Sequence, residues 1–228
     1  MNRTLPELLD SLELHYGPAP PPITANPWEM VLWESVGYLA DDGRRMRAFA
    51  DLRDRIGRAP DHILAASPET LRQITGAGIM ADRQAEKLLR CAQIALEELG
   101  GDTDSIRELS AEEAFKLLRR FPGIGEPGAE KIMLFSRMKA VLALESNGLR
   151  VLIRLRFGEE SKSYAATYRS AQKAAVSEMP SDFANLIRAH QLLRRHGQEI
   201  CRRTTPLCPD CALSKDCKYY RRYKSNRS

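Results

Sequence analysis

The sequence predicts an all-α protein. Apolar residues return every three or four positions through most of its 228 residues, which is the period of an amphipathic helix. The alternating β-branched runs that are typical of strands are almost absent. An apolar content of 43% is enough to form a real core. No apolar run approaches the length of about 18 residues that a transmembrane helix needs.

Twelve segments are predicted as helices from this period and from capping signals. Ser67, Ser110 and Ser181 stand at predicted helix starts, where a serine hydroxyl accepts a hydrogen bond from a free backbone N–H. The Pro-rich segment 17–22 predicts a stiff linker after the first helix, and the glycine pair at 100–101 separates two groups of helices. The predicted helices span residues 4–15, 27–39, 43–55, 60–65, 69–76, 81–99, 111–119, 127–137, 147–156, 163–176, 181–195 and 198–202.

A Gly-rich segment, Phe121-Pro-Gly-Ile-Gly125, lies between two predicted helices. Its two glycines let the chain turn sharply, and the next helix begins at once, so unpaired N–H groups project from the turn. Such amides bind a phosphate without reading sequence. Gly123, Ile124 and Gly125 are therefore candidate phosphate contacts in a helix-hairpin-helix, although a plain connection between two helices is the alternative.

Four cysteines near the C-terminus have the spacing C-x6-C-x2-C-x5-C: Cys201, Cys208, Cys211 and Cys217. Four thiolates can hold either a zinc ion or a four-iron cluster, and the spacing alone leaves both open. Disulfides need an oxidising compartment, whereas the first ten residues contain no apolar signal core, so we expect a reducing cytoplasm. Cys91 lies far away in a helical run and is predicted to be a buried core thiol.

Positive charge is concentrated at the C-terminal end. Residues 188–228 contain eleven Lys or Arg and three acidic residues, so the formal net charge of this segment is +8. The whole chain has a net charge of +5, so the remaining residues carry −3. A cationic face beside the cysteines is what a polyphosphate partner needs. A solvated charged tail is the alternative.

Taken together, these features resemble the endonuclease III superfamily of base-excision DNA glycosylases, the HhH-GPD group that carries a [4Fe-4S] cluster. The resemblance rests on the hairpin at 121–125, on Leu144-Glu-Ser-Asn-Gly-Leu-Arg-Val151, on the pair His196-Gly197 and on the cysteine spacing. These stand in the family's order and cover about residues 27–217. Because the cysteine spacing matches the family's loop without an insertion, the resemblance favours the [4Fe-4S] cluster over zinc.

The resemblance implies a two-lobed fold. Residues 26–134 would form a six-helix barrel with the hairpin, and residues 1–25 and 135–228 a discontinuous iron–sulfur domain. Double-stranded DNA, damaged or mismatched, would bind in a cleft between the lobes, with Arg202, Arg203 and Lys215 against its backbone. The protein would be a monomer without a membrane segment, located in the cytoplasm and at the nucleoid in a bacterium.

The catalytic positions depart from the family's pattern. Enzymes of the family that also cut the DNA backbone have a nucleophilic lysine where this chain has Pro127, and a proline cannot form a Schiff base. Lys131 follows one helical turn later. The family's aspartate, which stabilises the cationic sugar, corresponds to Glu145, so the negative charge is retained on a longer side chain. Capping of the following helix is the alternative role of Glu145.

Four further residues are implicated by the resemblance. Glu34 matches the general acid of the adenine-mismatch glycosylases. Leu39 stands where the family fills the gap left by a flipped nucleotide, and Ile79 and Met80 are candidate wedge residues. The expected activity is hydrolysis of the N-glycosidic bond without efficient β-lyase activity. The alternatives are a non-enzymatic binder of damaged, abasic or unusual DNA, or a helical interaction module with a zinc ribbon.

Overall fold

The computed structural model describes residues 3–225, and the side chains of residues 3–221. These residues form α-helices, two short 3-10 helices and connecting turns, with no β-strand among them. The predicted all-α class is therefore confirmed. None of the helices in this range has the length and apolar content that crossing a bilayer requires.

The helices begin and end close to the predicted positions. The 3-10 helices are Thr103–Glu108 and Cys208–Asp210. The α-helices are α1 (Leu5–Tyr16), α2 (Pro27–Ser35), α3 (Asp42–Arg55), α4 (Pro60–Ala65), α5 (Pro68–Thr75), α6 (Ala81–Leu99), α7 (Ala111–Leu118), α8 (Glu126–Phe135), α9 (Ser146–Leu155), α10 (Tyr164–Val176), α11 (Phe183–Glu199) and α12 (Lys218–Ser225).

The helix prediction is wrong in three places. The helix predicted over 27–39 ends at Ser35, because Gly37 and Leu39 adopt left-handed φ angles of 68° and 57° that break the helical path. The separate helix predicted over 198–202 does not form, since α11 continues to Glu199 and the cysteine loop follows. Helix α12 was not predicted at all, because its polar, aromatic sequence has few apolar positions to mark a face.

The chain divides into two compact units. The hairpin unit comprises Ile23–Lys139, and the cysteine unit comprises Met1–Pro22 with Ala140–Ser228. The predicted barrel, 26–134, starts three residues later and ends five residues earlier than the hairpin unit. Each unit has its own set of buried side chains.

In the hairpin unit, α2 is the central helix and packs against α3, α6 and α8. Its side chains Trp28, Met30 and Leu32 are almost fully buried. The long helix α6 also supports α4 and α5, and α7 packs against α8. Because α7 and α8 are both fixed to the core, the turn between them is held in place.

In the cysteine unit, the pairing of α9 with α11 is the most extensive contact between helices. Helix α1 packs on α11 through a buried leucine face that includes Leu5, Leu9 and Leu12. Helices α10 and α12 pack against α9. The start of α9, which follows Glu145, and the end of α11, which precedes the cysteine loop, are therefore fixed next to each other.

Candidate functional site

The hairpin between α7 and α8 adopts a tight turn. Gly123 has a φ of 87°, which favours glycine, and the Ile124 amide donates to the Phe121 carbonyl at 3.1 Å. The side chains of Ile124 and Phe121 are buried, and the Phe121 ring packs 5.9 Å from that of Trp28. Ile124 therefore anchors the turn. Within the described range, the amides of Gly123 and Gly125 donate to no backbone carbonyl, which leaves them available to an anion.

Leu39, Ile79 and Met80 lie on a surface that we call the apolar ridge, defined as Tyr38, Leu39, Ile79 and Met80. The Ile79 amide donates to the Tyr38 carbonyl at 3.0 Å, which joins the two segments. Gly78 allows this approach, because a Cβ there would lie 2.4 Å from the Tyr38 carbonyl oxygen. Leu39 is 69% exposed, and Ile79 and Met80 are each 50% exposed.

The backbone of the apolar ridge is strained. Leu39 and Met80 both have left-handed φ angles, 57° and 59°. That conformation costs a residue with a side chain about 1–2 kcal/mol. Exposed apolar side chains held in a strained backbone are typical of functional positions.

Glu34 on α2 pairs with Lys131 on α8. The Lys131 Nζ lies 2.7 Å from the Glu34 Oε1, and the Lys131 and Glu34 side chains are only 16% and 21% exposed. Nothing in the sequence indicates that Glu34 and Lys131 are partners, but the structure brings them together. Glu34 is thus half of an ion pair and not an isolated buried acid.

Pro127 lies in the first turn of α8, where a missing N–H costs nothing. The side chain of this residue contains no amine and cannot act as a nucleophile. The structure thus places Pro127 in the first turn of α8, a position that suits proline.

Glu145 is the N-cap of α9. One carboxylate oxygen accepts hydrogen bonds from the Asn147 and Gly148 amides at 2.8 and 2.9 Å, and the other accepts from the Asn147 Nδ2 at 2.9 Å. Three N–H donors thus hold the carboxylate in a single orientation. Capping and an electrostatic role are compatible here, because Glu145 is a part-exposed residue.

Arg150 connects this carboxylate to the cysteine loop. It donates to the Asn147 Oδ1 at 2.7 Å, to the Gly197 carbonyl at 2.7 Å and to the Cys201 carbonyl at 2.8 Å. Burial lowers the pKa of Arg150, and nearby Cys201 and Glu145 oppose that effect. This role of Arg150 was not predicted from the sequence, although Asn147 and Arg150 both lie inside the motif that follows Glu145.

Gly197 lets α11 approach α9 at this point. A Cβ on Gly197 would lie 2.5 Å from the Asn147 carbonyl oxygen and 2.7 Å from the Asn147 Cβ. Only glycine fits such a contact. The pair His196-Gly197, which sequence analysis used as a motif, therefore supports the segment that carries Glu145.

The four C-terminal cysteines, Cys201, Cys208, Cys211 and Cys217, line one small cavity. A mononuclear zinc site would bring four sulfurs to about 2.3 Å from one point. Among residues 3–221, no group of three or more His, Cys, Asp or Glu side chains is arranged to hold a metal ion.

The sulfurs are surrounded by N–H groups that suit thiolate ligands. The Arg154 Nη1 lies 3.2 Å from the Cys201 Sγ, and the Leu213 amide lies 3.4 Å from the Cys211 Sγ. The His196 Nε2 lies 3.3 Å from the same Cys211 sulfur, and the His196 Nδ1 lies 2.9 Å from the Tyr16 hydroxyl. These contacts fit a sulfur-ligated cluster, whose sulfurs accept such hydrogen bonds.

A second, larger cavity of about 820 Å³ in the cysteine unit has five basic residues in its lining. Arg202 and Arg203 line it and are exposed, whereas Lys215 is exposed elsewhere on the cysteine loop. Arg154 donates to the carbonyls of Arg202 and Arg203, which fixes the turn that presents them. Of the other basic residues counted in the sequence, Arg227 lies outside the described residues, as do the side chains of Arg222 and Lys224.

Comparison with known proteins agrees with this geometry. No family model matches the chain. Endonuclease III of Thermotoga maritima is 27% identical over 165 residues, which are 72% of this chain and 70% of that protein. Endonuclease III of Sulfolobus acidocaldarius is 24% identical over 198 residues, which are 86% of this chain and 84% of that protein.

Solved structures give the same result for the fold. A trapped covalent intermediate of endonuclease III with DNA matches with a TM-score of 0.76 and 18% identity, over 96% of this chain and 97% of that one. The predicted fold class is confirmed by this match. By sequence the chain is similar to the proteins named endonuclease III, and it has the endonuclease III fold.

Proposed function

We propose that the protein is a DNA glycosylase of base-excision repair that hydrolyses the N-glycosidic bond of a damaged or mismatched nucleotide. The observation that carries this proposal is Glu145, a part-exposed carboxylate held by three N–H donors at the start of α9. A fixed anion is what an oxocarbenium-like sugar needs as the base departs. The relatives named endonuclease III support the same class of reaction.

The proposed reaction uses water. The bond between the sugar C1′ and the base nitrogen breaks, and its electron pair leaves with the base, which takes up a proton. The oxygen of a water molecule bonds to C1′ and releases its proton. Glu145 stabilises the positive charge on the sugar and accepts that proton.

The enzyme should be monofunctional. A β-lyase needs an amine that forms a Schiff base with C1′, and the family's lysine position is Pro127. Lys131 has an amine, but its ammonium is paired with Glu34 at 2.7 Å. Borohydride trapping of a covalent adduct with DNA would contradict this part of the proposal.

Glu34 is the candidate for protonating the departing base, and it acts as a pair with Lys131. The ammonium is an N–H donor beside the carboxylate, so the pair can relay a proton if either member contacts the base. Glu34→Gln should slow the release of purines more than the release of pyrimidines. Equal slowing of both would assign Glu34 a structural role.

DNA would be held by the hairpin and by the apolar ridge. The free amides of Gly123 and Gly125 bind a backbone phosphate, and Leu39, Ile79 and Met80 insert into the base stack as the nucleotide flips. Arg202, Arg203 and Lys215 contact the backbone through the cysteine unit. The partner is double-stranded DNA, and the protein acts as a monomer.

A [4Fe-4S] cluster would be held by Cys201, Cys208, Cys211 and Cys217. When bound, it would supply structural order to the loop that carries the basic residues. The N–H groups of Arg154, His196 and Leu213 suit its sulfur ligands. Purified protein should be brown, and a colourless protein with one bound zinc would contradict this assignment.

The test is a single-turnover assay of cluster-loaded protein. The duplexes carry uracil, mismatched adenine or thymine, oxidised pyrimidines, 8-oxoguanine, alkylated purines or an abasic site, each analysed with and without alkali. Base release with strand breakage only after alkali is the expected result. Glu145→Gln should abolish release, Glu145→Asp should retain part of it, and the exposed Glu159→Gln is the matched control.

The competing function is binding without chemistry. It is favoured by one observation, namely that all the hydrogen bonds of the Glu145 carboxylate are spent on the start of its own helix. A non-enzymatic binder would hold the abasic or damaged duplex tightly and release no base in the wild type or in either Glu145 variant. That outcome would replace the glycosylase proposal.

A further inference from the structure

Lys87 is a part-buried lysine on α6 of the hairpin unit that the proposed chemistry does not use. Its Nζ lies 5.5 Å from the centre of the Tyr38 ring. Among the described residues, no carboxylate forms an ion pair with it, unlike Lys131 or Lys116. A cation taken partly out of water and left without an anion is costly, and an aromatic face offsets only about 0.5–2 kcal/mol of that cost.

The ammonium lies against the hairpin. The Lys87 Nζ is 3.6 Å from the point where a Cβ on Gly123 would stand. Gly123 has no side chain, so the cation meets bare backbone at the apex of the turn. The amides of Gly123 and Gly125, which have no backbone acceptor in the described range, belong to the same turn.

A cation beside free amides forms a phosphate site. Amides donate short hydrogen bonds to phosphate oxygens but carry only partial charges, whereas an ammonium supplies a full charge. The position of Lys87 is rigid, because α6 is a helix of 19 residues packed against α2, α4 and α5. The lysine therefore needs little reordering to meet an anion at the hairpin.

We propose that Lys87 binds the same DNA backbone phosphate as the hairpin amides. This inference rests on the proposed function in one respect, namely that the hairpin contacts DNA. The Lys87 ammonium lies near both the hairpin and the ring of Tyr38, which belongs to the apolar ridge. It therefore links the phosphate contact to the ridge. Lys87 is thus a positioning residue that sets the register of the wedge along the DNA backbone.

The test is the salt dependence of binding to a duplex with an abasic analogue, measured by fluorescence anisotropy. Each phosphate contact contributes a slope of about −0.9 to the plot of log affinity against log salt. Lys87→Gln should reduce the steepness by about 0.9, so that the affinity advantage of the wild type shrinks about eightfold for each tenfold rise in salt.

The matched control is Lys116→Gln. Lys116 lies on α7 of the same unit, is 70% exposed and already pairs with Glu112, so its loss changes the net charge equally. Its slope should equal that of the wild type. Lys87→Arg keeps the charge and should keep the slope. Lys87→Met keeps the packing of the alkyl stem and replaces Lys87→Gln if that variant is unfolded by circular dichroism.

The outcomes separate the inference from the proposed function. A folded Lys87→Gln or Lys87→Met with the wild-type slope would overturn the role of Lys87, and base release by the wild type would leave the glycosylase proposal standing. A steepness reduced by about 0.9 only at Lys87 supports the inference even if no base is released. A wild-type protein that binds no duplex would overturn both.

Discussion

Two glycines at the contact between α9 and α11 should respond in opposite ways to an added methyl group. A Cβ on Gly197 would lie 2.5 Å from the Asn147 carbonyl oxygen, which is backbone and cannot swing away. A Cβ on Gly148, in the same helix pair, would lie 3.4 Å from the Leu193 Cβ, which is ordinary contact. Gly197→Ala is therefore the perturbation, and Gly148→Ala is its matched control.

The magnitude follows from these distances. Real Cβ contacts stay above 3.0 Å and are ordinary from 3.4 Å, so the Asn147 backbone must move by about 0.5–0.9 Å. Such overpacking costs about 1–3 kcal/mol. Both substitutions gain a similar helix propensity of up to about 1 kcal/mol, so the difference between the two variants isolates the clash. Since Asn147 holds Glu145, base release should slow by about tenfold to a hundredfold only in Gly197→Ala.

The assays are urea unfolding and single-turnover base release on the duplex that the wild type processes. We expect Gly148→Ala to match or exceed the wild type in both. Gly197→Ala should be less stable than Gly148→Ala by about 1–3 kcal/mol and slower. Equal unfolding free energies and equal rates of base release in the two variants would refute the claim that only glycine fits at position 197.

Three further predictions concern the same unit and the core thiol. Arg150→Met removes three hydrogen bonds, so it should lower the unfolding free energy by about 3 kcal/mol in urea titrations and slow base release. The control is Arg169→Met at an exposed position, which should change the unfolding free energy by less than about 0.5 kcal/mol. Tyr16→Phe should make the reduction potential of the cluster more negative in voltammetry, because His196 loses the hydroxyl that orients its N–H toward Cys211. An unchanged potential, or an equal shift in the control variant Tyr164→Phe, would contradict this. Burial raises the pKa of Cys91 to about 11 from its ordinary 9.0, so the protonated thiol stabilises the fold below pH 9 and this contribution is lost as the pH rises to 11. The wild type should lose up to about 3 kcal/mol more than Cys91→Ala over that range in urea unfolding, and parallel pH profiles would show that the thiol is not responsible.

The helices and the two chemical motifs could be predicted from the sequence because their signals are local. A period of three to four residues marks a helix whatever it packs against, and Ser67 and Ser110 each accept the expected capping hydrogen bond from the amide three residues later. The cysteine spacing marked four residues that line one cavity of the cysteine unit, and the cluster they would hold stays a prediction. Helix α2 was predicted too long because the break at residues 36–40 depends on the contact of Tyr38 with Gly78, which lies 40 positions away.

The candidate catalytic residues could be located but not interpreted from the sequence. Glu34 was matched to a general acid, and only the packing of α2 on α8 paired it with Lys131 across 97 positions. Arg150 was not predicted at all, since its partners at Gly197 and Cys201 lie 47 and 51 positions away. No role was predicted for Lys87 from the sequence, and only the fold places it beside the hairpin.

The sequence by itself thus determined the helical class, the hairpin turn, the four-cysteine loop and the absence of an amine at Pro127. Each of these depends on residue types at short spacing, where the chain's own geometry sets the outcome. The tertiary structure alone decided which donors hold Glu145, which cation neutralises Glu34 and which lysine meets the hairpin. Those contacts join residues far apart along the chain, and they exist only because buried helix faces bring them within hydrogen-bond distance.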